Sequence, residues 1–137
     1  MPNRPQPSFP ELITQPFWDA AKEGKLTYQT CDDCDAIVFT PRRHCTACGS
    51  AVLTVQESKG EGTVYTYSVV RQNRMPAFAE LGAYSVAYID LDEGFRMMST
   101  VTGVDDPVAD ISIGMRVKVE FEQQDDGEYP IPVFKPA

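Results

Sequence analysis

Four cysteines carry the clearest chemistry in this chain. They stand as Cys31-Asp-Asp-Cys34 and, ten residues later, Cys45-Thr-Ala-Cys48-Gly49. Two residues between cysteines let a tight turn aim both thiolates at one ion, with backbone N–H groups donating to the sulfurs. Two such turns at the ends of adjacent strands give four thiolates in a tetrahedron, which is a closed structural zinc site. A rubredoxin-type iron takes the same four ligands, so iron stays open as the alternative. Four thiolates leave no position for a reacting water, so the ion has a structural role. His44, the single histidine, stands beside Cys45. The four cysteines already fill a coordination shell, so His44 is expected in solvent. Asp32, Asp33 and Asp35 are expected to be solvated surface acids. No serine, cysteine or carboxylate pair stands in a recognisable catalytic setting, so nucleophilic and acid–base catalysis have no visible home.

The elements that must position the cysteines follow from local pattern. Thr14 is a candidate N-cap, and Pro16 is tolerated in a first helical turn. A short helix is expected from Gln15 to Glu23, with Phe17, Trp18 and Ala21 as its apolar side and Gly24 as its stop. That face must pack on the rest of the chain or on a partner. From Lys25 the period changes to two, and a strand through Leu26 and Tyr28 runs into Cys31. After Ser50 the chain reads as β. Strands are expected at Ala51–Ser58, Thr63–Arg71, Ala83–Leu91, Phe95–Val104, Met115–Gln123 and Pro130–Phe134. Asp92-Glu93-Gly94 is a hairpin turn, and prolines push the last strand to an edge. Asp105–Ile113 is a connection with room for one helical turn. Arg71–Gly82 is a loop, apolar for a loop because of Met75, Pro76, Phe78 and Leu81. It is either an interface or a cover over one end of the barrel. Residues 1–10 carry four prolines and read as an extended, poorly ordered lead.

Composition narrows the function classes. The chain has 137 residues, 42% of them hydrophobic, with a net charge of −8. That length suits one domain or two small ones, and a 30-residue piece on its own needs a staple such as a metal. The acidic balance disfavours broad nucleic-acid binding. No stretch approaches the roughly 20 apolar residues that span a bilayer, and the first residues lack the apolar core of a signal peptide. A cytoplasmic location is expected, where thiols stay reduced and serve metals.

Taken in order, these residues resemble the Zn-ribbon/OB-fold acyl-CoA-associated family, long labelled domain of unknown function 35. The resemblance rests on Phe17-Trp18, Gly24-Lys25-Leu26, the ribbon Cys31-x-x-Cys34…Pro41-Arg42…Cys45-x-x-Cys48-Gly49-Ser50, and Gly60-x-Gly62-Thr63-Val64-Tyr65-Thr66-Tyr67. It continues through Ile89-Asp90-Leu91-Asp92-Glu93-Gly94, Ile113-Gly114-Met115-Arg116-Val117 and Pro132-Val133-Phe134-Lys135-Pro136. It implies a mostly β protein in three parts. These are an N-terminal extension and helix over 1–25, a rubredoxin-like zinc ribbon over 26–50, and a five-stranded OB-fold barrel over 51–137. It also implies a non-catalytic scaffold for a thiolase-like enzyme, a lipid-transfer-type aldolase or a hydratase, with a CoA thioester as candidate ligand. Arg42 and Arg43 between the zinc turns, with Lys59, Arg71 and Arg74 near the barrel loops, are then candidates for CoA phosphates or the partner; the alternative is ordinary solvated charge. Two places depart from the family pattern. Asp35 stands where glycine usually follows the second cysteine, and Asp tolerates positive φ well enough for the turn to survive. Ala83 stands before Tyr84 where proline is common. An OB-fold nucleic-acid binder, a rubredoxin-like electron carrier and a stand-alone thioesterase or hydratase are the competing functions.

Overall fold

The computed structural model describes residues 4–7 and 12–137. Helix α1 runs Gln15–Lys22, with Pro16 in its first turn. Its end is closed by Glu23 N donating to Ala20 O and Gly24 N to Ala21 O, with Gly24 at φ 77°. Thr14 occupies the N-cap position but makes no side-chain cap bond, because its own backbone is already helical (φ −93°, ψ −16°). The carbonyl of Thr14 instead accepts from Phe17 and Trp18. The helix packs its apolar side on its own chain. Phe17 meets Phe39 edge-on at 5.9 Å, and Trp18 meets Tyr129 at 6.1 Å.

A small antiparallel sheet carries the cysteines. It consists of β1 (Leu26–Cys31), β2 (Ile37–Val38) and β3 (Leu53–Ser58), in the order β2-β1-β3. β3 was expected to open the barrel. It pairs instead with β1 along its whole length, from Leu26 opposite Ser58 to Cys31 opposite Leu53. β2 flanks the opposite edge of β1, so without β3 the remaining row of its peptide groups would be unpaired. The chain leaves this sheet at Gly60, where φ is +73° and a Cβ would lie 2.2 Å from Val119 Cγ1. Only glycine fits there, so the change of sheet is fixed at that residue.

The second sheet has five strands: β4 (Glu61–Val70), β5 (Tyr84–Leu91), β6 (Arg96–Ser99), β7 (Arg116–Glu122) and β8 (Ile131–Pro136). Their order is β6-β5-β4-β7-β8, all antiparallel. A bulge at Tyr65 bends β4. The two ends of the sheet meet at one parallel bridge, Val101 opposite Phe134, rather than along a continuous ladder. There Phe134 N donates to Thr100 O and Thr102 N to Phe134 O. The strand expected over Phe95–Val104 is therefore regular only over β6 and this bridge. The expected helical turn is α2 (Pro107–Asp110), capped by Asp106, whose carboxylate accepts from Val108 N at 2.9 Å.

One core joins helix, ribbon and barrel. Phe17, Leu26, Val64, Ile89, Phe95, Val117 and Phe134 belong to it, all at most 9% exposed. Tyr28 stacks on Phe95 at 4.9 Å, and Phe39 lies 4.8 Å from the same ring. The cysteine end has only a satellite cluster of Cys31, Val38 and Cys45 with Ala36 and Leu53 beside it. Of the proline-rich lead, residues 4–7 are described, and they are tied down rather than loose. Gln6 uses both ends of its side-chain amide on Tyr129, accepting from its N–H at 2.9 Å and donating to its carbonyl at 3.1 Å. The rest of that lead lies outside the described residues.

Candidate metal centre and its surroundings

The two cysteine turns are built alike. Asp35 N donates to Cys31 O at 2.9 Å and Cys31 N to Ala36 O at 2.9 Å; Gly49 N donates to Cys45 O at 3.0 Å and Cys45 N to Ser50 O at 2.7 Å. Both turns need a left-handed residue after the second cysteine. Gly49 supplies one at φ 79° and Asp35 the other at φ 61°, the one positive-φ residue besides glycine among those described. The turn thus survives the replacement of glycine, as its sequence suggested. The acids beside it are exposed but also tie the turns to β3 and its approach. Thr54 Oγ1 donates to the Asp32 carboxylate at 2.9 Å, and Ser50 Oγ donates to Asp33.

The four Sγ atoms lie within 4.8 Å of one another, with Cys31 to Cys48 and Cys34 to Cys45 both at 3.6 Å. Sulfurs around a tetrahedral zinc at 2.3 Å stand about 3.8 Å apart, so the cluster fits such an ion. Cys31 and Cys45 are buried, while Cys34 and Cys48 are exposed. Backbone N–H groups of Cys48 and Ala47 pull the Cys45 thiol down to about 6. Ala36 N–H also favours the Cys34 thiolate, but Cys48, desolvation and the other sulfurs outweigh it and push that thiol up to about 12. The Cys45 thiolate forms readily, while Cys34 and Cys48 resist ionising. A divalent cation removes that conflict, which is the chemistry of a structural metal site. His44 is exposed and outside the cluster.

The five candidate cations do not form one site. Arg42 and Arg43 lie on the ribbon loop before Cys45. Lys59 precedes β4 and Arg71 follows it, so roughly 30–40 Å of extended chain separates them. Arg74 is in the β4–β5 loop with Arg71. All five are exposed, and none is in an ion pair among the described residues. The β4–β5 loop divides its apolar residues. Phe78 stacks on Tyr84 at 5.5 Å, while Met75 is 63% exposed.

Sequence reading missed one feature. An apolar groove of about 460 Å³ opens between α1 and the barrel, lined by Phe17, Trp18, Phe39, Phe78, Tyr84, Met97, Met98 and Ile131 among others. Its buried hydroxyls are already engaged: Ser85 bonds Thr100 and the Val101 backbone. Besides hydrocarbon the groove presents Arg4, whose Nε lies 3.2 Å from the Glu122 carboxylate. The concentration of aromatics at 17, 18, 39, 78 and 84 was the available signal, but only folding brings them together.

Residues 18–54 match the domain described as "ChsH2, rubredoxin-like zinc ribbon domain", and residues 55–122 match "ChsH2, C-terminal OB-fold domain". Over 101 residues the chain is 35% identical to a DUF35 domain-containing scaffold protein of Methanocaldococcus jannaschii, covering 72% of this chain and 69% of that one. This chain belongs to the DUF35 family. A second DUF35 scaffold protein, from Methanothermobacter thermautotrophicus, is 30% identical over 105 residues, covering 75% and 77%. Among solved structures, this DUF35 chain is similar to a chain of the "Ltp2-ChsH2(DUF35) aldolase". The TM-score is 0.82 at 33% identity, covering 96% of this chain and 98% of that one. A DUF35 protein of Sulfolobus solfataricus shares the fold, with TM-score 0.64 at 16% identity over 90% and 84% of the two chains. The chain is also 35% identical over 135 residues to a Thermomonospora curvata protein named "Probable enoyl-CoA hydratase alpha subunit". That match takes in 98% of this chain but only 40% of the longer relative. The expected family, zinc ribbon and OB-fold are those of the DUF35 proteins.

Proposed function

We propose that this DUF35 chain is a non-catalytic accessory subunit. It binds an aldolase, thiolase-like or hydratase enzyme acting on acyl-CoA and helps hold the CoA thioester. The observation that carries this reading is the end-to-end likeness to the DUF35 chain of an aldolase. The scaffold naming of two relatives supports it, and so does the closed four-thiolate centre, which offers a reactant no open position. The apolar groove suits the hydrocarbon part of an acyl-CoA.

The nucleic-acid reading has one feature in its favour: Tyr65 and Tyr88 are exposed on the sheet that OB folds use for ligands. The cation on that face is already committed. Arg96 bonds Asp90 at 2.6 Å and sits 3.5 Å over the Tyr65 ring. Phosphate contact there would have to break both.

The test is a tagged pull-down from the native host with mass spectrometry. An acyl-CoA aldolase, thiolase or hydratase recovered in near-equal amount supports the accessory role. Turnover of acyl-CoA esters by the isolated chain would overturn it.

A further inference from the structure

Buried Gln29 does something unusual for a strand residue. It is 9% exposed, and its side-chain amide is spent on the backbone N–H and C=O of one residue of the loop beyond β2. Its Oε1 accepts from Arg42 N at 2.8 Å, and its Nε2 donates to Arg42 O at 3.1 Å. A primary amide has the donor and acceptor of a peptide group, so it pegs that loop as a neighbouring strand would. What the peg presents is two adjacent arginines pointing into solvent.

These arginines form an adjacent, unpaired pair of cations in an acidic chain. The chain has 20 acids against 12 bases. Among the described residues Arg4, Lys22, Lys25, Arg96, Arg116 and Lys135 pair with carboxylates; Arg42 and Arg43, like Lys59, Arg71, Arg74 and Lys118, do not, and they alone of the unpaired six are neighbours in sequence. Beside them lies a shallow trough of about 400 Å³ floored by Leu12, Ile13, Ala51 and Leu53. It shares Leu12 and Ile13 with a second hollow that reaches Val55. Leu12 is 69% exposed and Val55 55%. Such solvent-facing aliphatic surface next to unpaired guanidinia on a pegged loop is the make-up of a protein interface.

We propose that this corner docks an acidic, amphipathic segment of the partner enzyme, with carboxylates on Arg42 and Arg43 and apolar side chains on Leu12, Leu53 and Val55. Charge complementarity selects the occupant. A free cationic pair on an acidic protein attracts carboxylates, and the open, aliphatic floor suits side chains better than a nucleotide, which needs an enclosing or aromatic wall. This inference rests on the accessory-subunit reading, since it names where the partner sits.

The probe is a fluorescein-labelled ten-residue peptide of alternating Glu and Leu, with a Lys–Leu peptide and free CoA as comparisons. Anisotropy is measured on the zinc-loaded full chain. The acidic peptide is expected to bind, to weaken in 0.5 M salt through screening, and to lose about tenfold in affinity in the double variant R42A/R43A. The variants leave the Gln29 peg intact because it grips backbone, and unchanged zinc content verifies the fold. Equal binding of both peptides, or no loss in R42A/R43A, would overturn the proposal. So would a result in which only CoA binding depends on the arginines, which would make the corner a phosphate site. The two readings fail separately. If R42A/R43A still co-purifies its enzyme undiminished, the docking corner falls and the accessory role stands. If the wild-type chain co-purifies no enzyme, the accessory role falls.

Discussion

Cys31 ends a strand and lies buried, whereas Cys34 sits in an exposed turn. Loss of the buried ligand should therefore cost structure as well as metal. Cys31→Ser is expected to abolish stoichiometric zinc and to melt the ribbon before the barrel, because the satellite cluster around Val38 is too small to hold the two turns. Metal analysis alongside thermal unfolding checks this; full zinc with an unchanged melting curve would refute the site. Asp35 offers a finer test. At φ 61° glycine costs nothing sterically and a β-branched residue costs most. Asp35→Val should destabilise by about 2 kcal/mol, and Asp35→Gly should leave the melting temperature nearly unchanged.

Among the elements, the join between the two sheets matters most. Six residues of β3 hold to β1, and the chain then turns at Gly60 to begin β4 under Val119. Two hydrogen bonds from Ser58 and Lys59 fix the neighbouring hairpin: Ser58 Oγ donates to Glu93 at 2.7 Å and Lys59 N to the same carboxylate at 2.8 Å. Gly60→Ala would force a methyl into Val119 at positive φ. A loss of about 2–3 kcal/mol is expected, read as a shift in the denaturant midpoint with the slope unchanged. The cysteine turns lie at the far end of β1 and β3, so zinc content should stay stoichiometric while stability falls.

The whole molecule depends on sharing one core among three segments. Phe17 from the helix, Leu26 from the ribbon and Phe95 from the barrel lie in one cluster, so the helix cannot come away without opening the rest. Phe17→Ala is expected to cost about 3–5 kcal/mol. Because Phe17 also contacts Trp18 at 5.2 Å and lines the groove with it, the same change should alter the fluorescence of the single tryptophan. In the wild-type chain that tryptophan should respond to a long-chain acyl-CoA and stay silent to CoA alone. Equal responses to both would place the apolar part of the ligand elsewhere.

The sequence by itself picked out the candidate metal ligands, the turns around them and most strands. Those are local properties: a two-residue spacing between cysteines, a left-handed residue after each pair, and a two-residue period between Gly or Asp turns. Asp35 shows how far local reasoning reaches, because its tolerance of positive φ predicted the turn that forms. The cysteine pattern alone left zinc and iron both open, and the match to a zinc-ribbon family model favours zinc. Tertiary structure decided what depends on residues distant in the chain. It placed β3 beside β1 rather than in the barrel, since pairing depends on which strand lacks a neighbour and not on the strand's own composition. It gathered Phe17, Phe39, Phe78 and Tyr84 into a groove. It also split five cations, alike in sequence, into separate places, and pegged the backbone of one, Arg42, with the buried amide of Gln29. Charge and hydrophobicity can be read from residues one at a time, but a surface is made by residues that meet only after the chain has closed on itself.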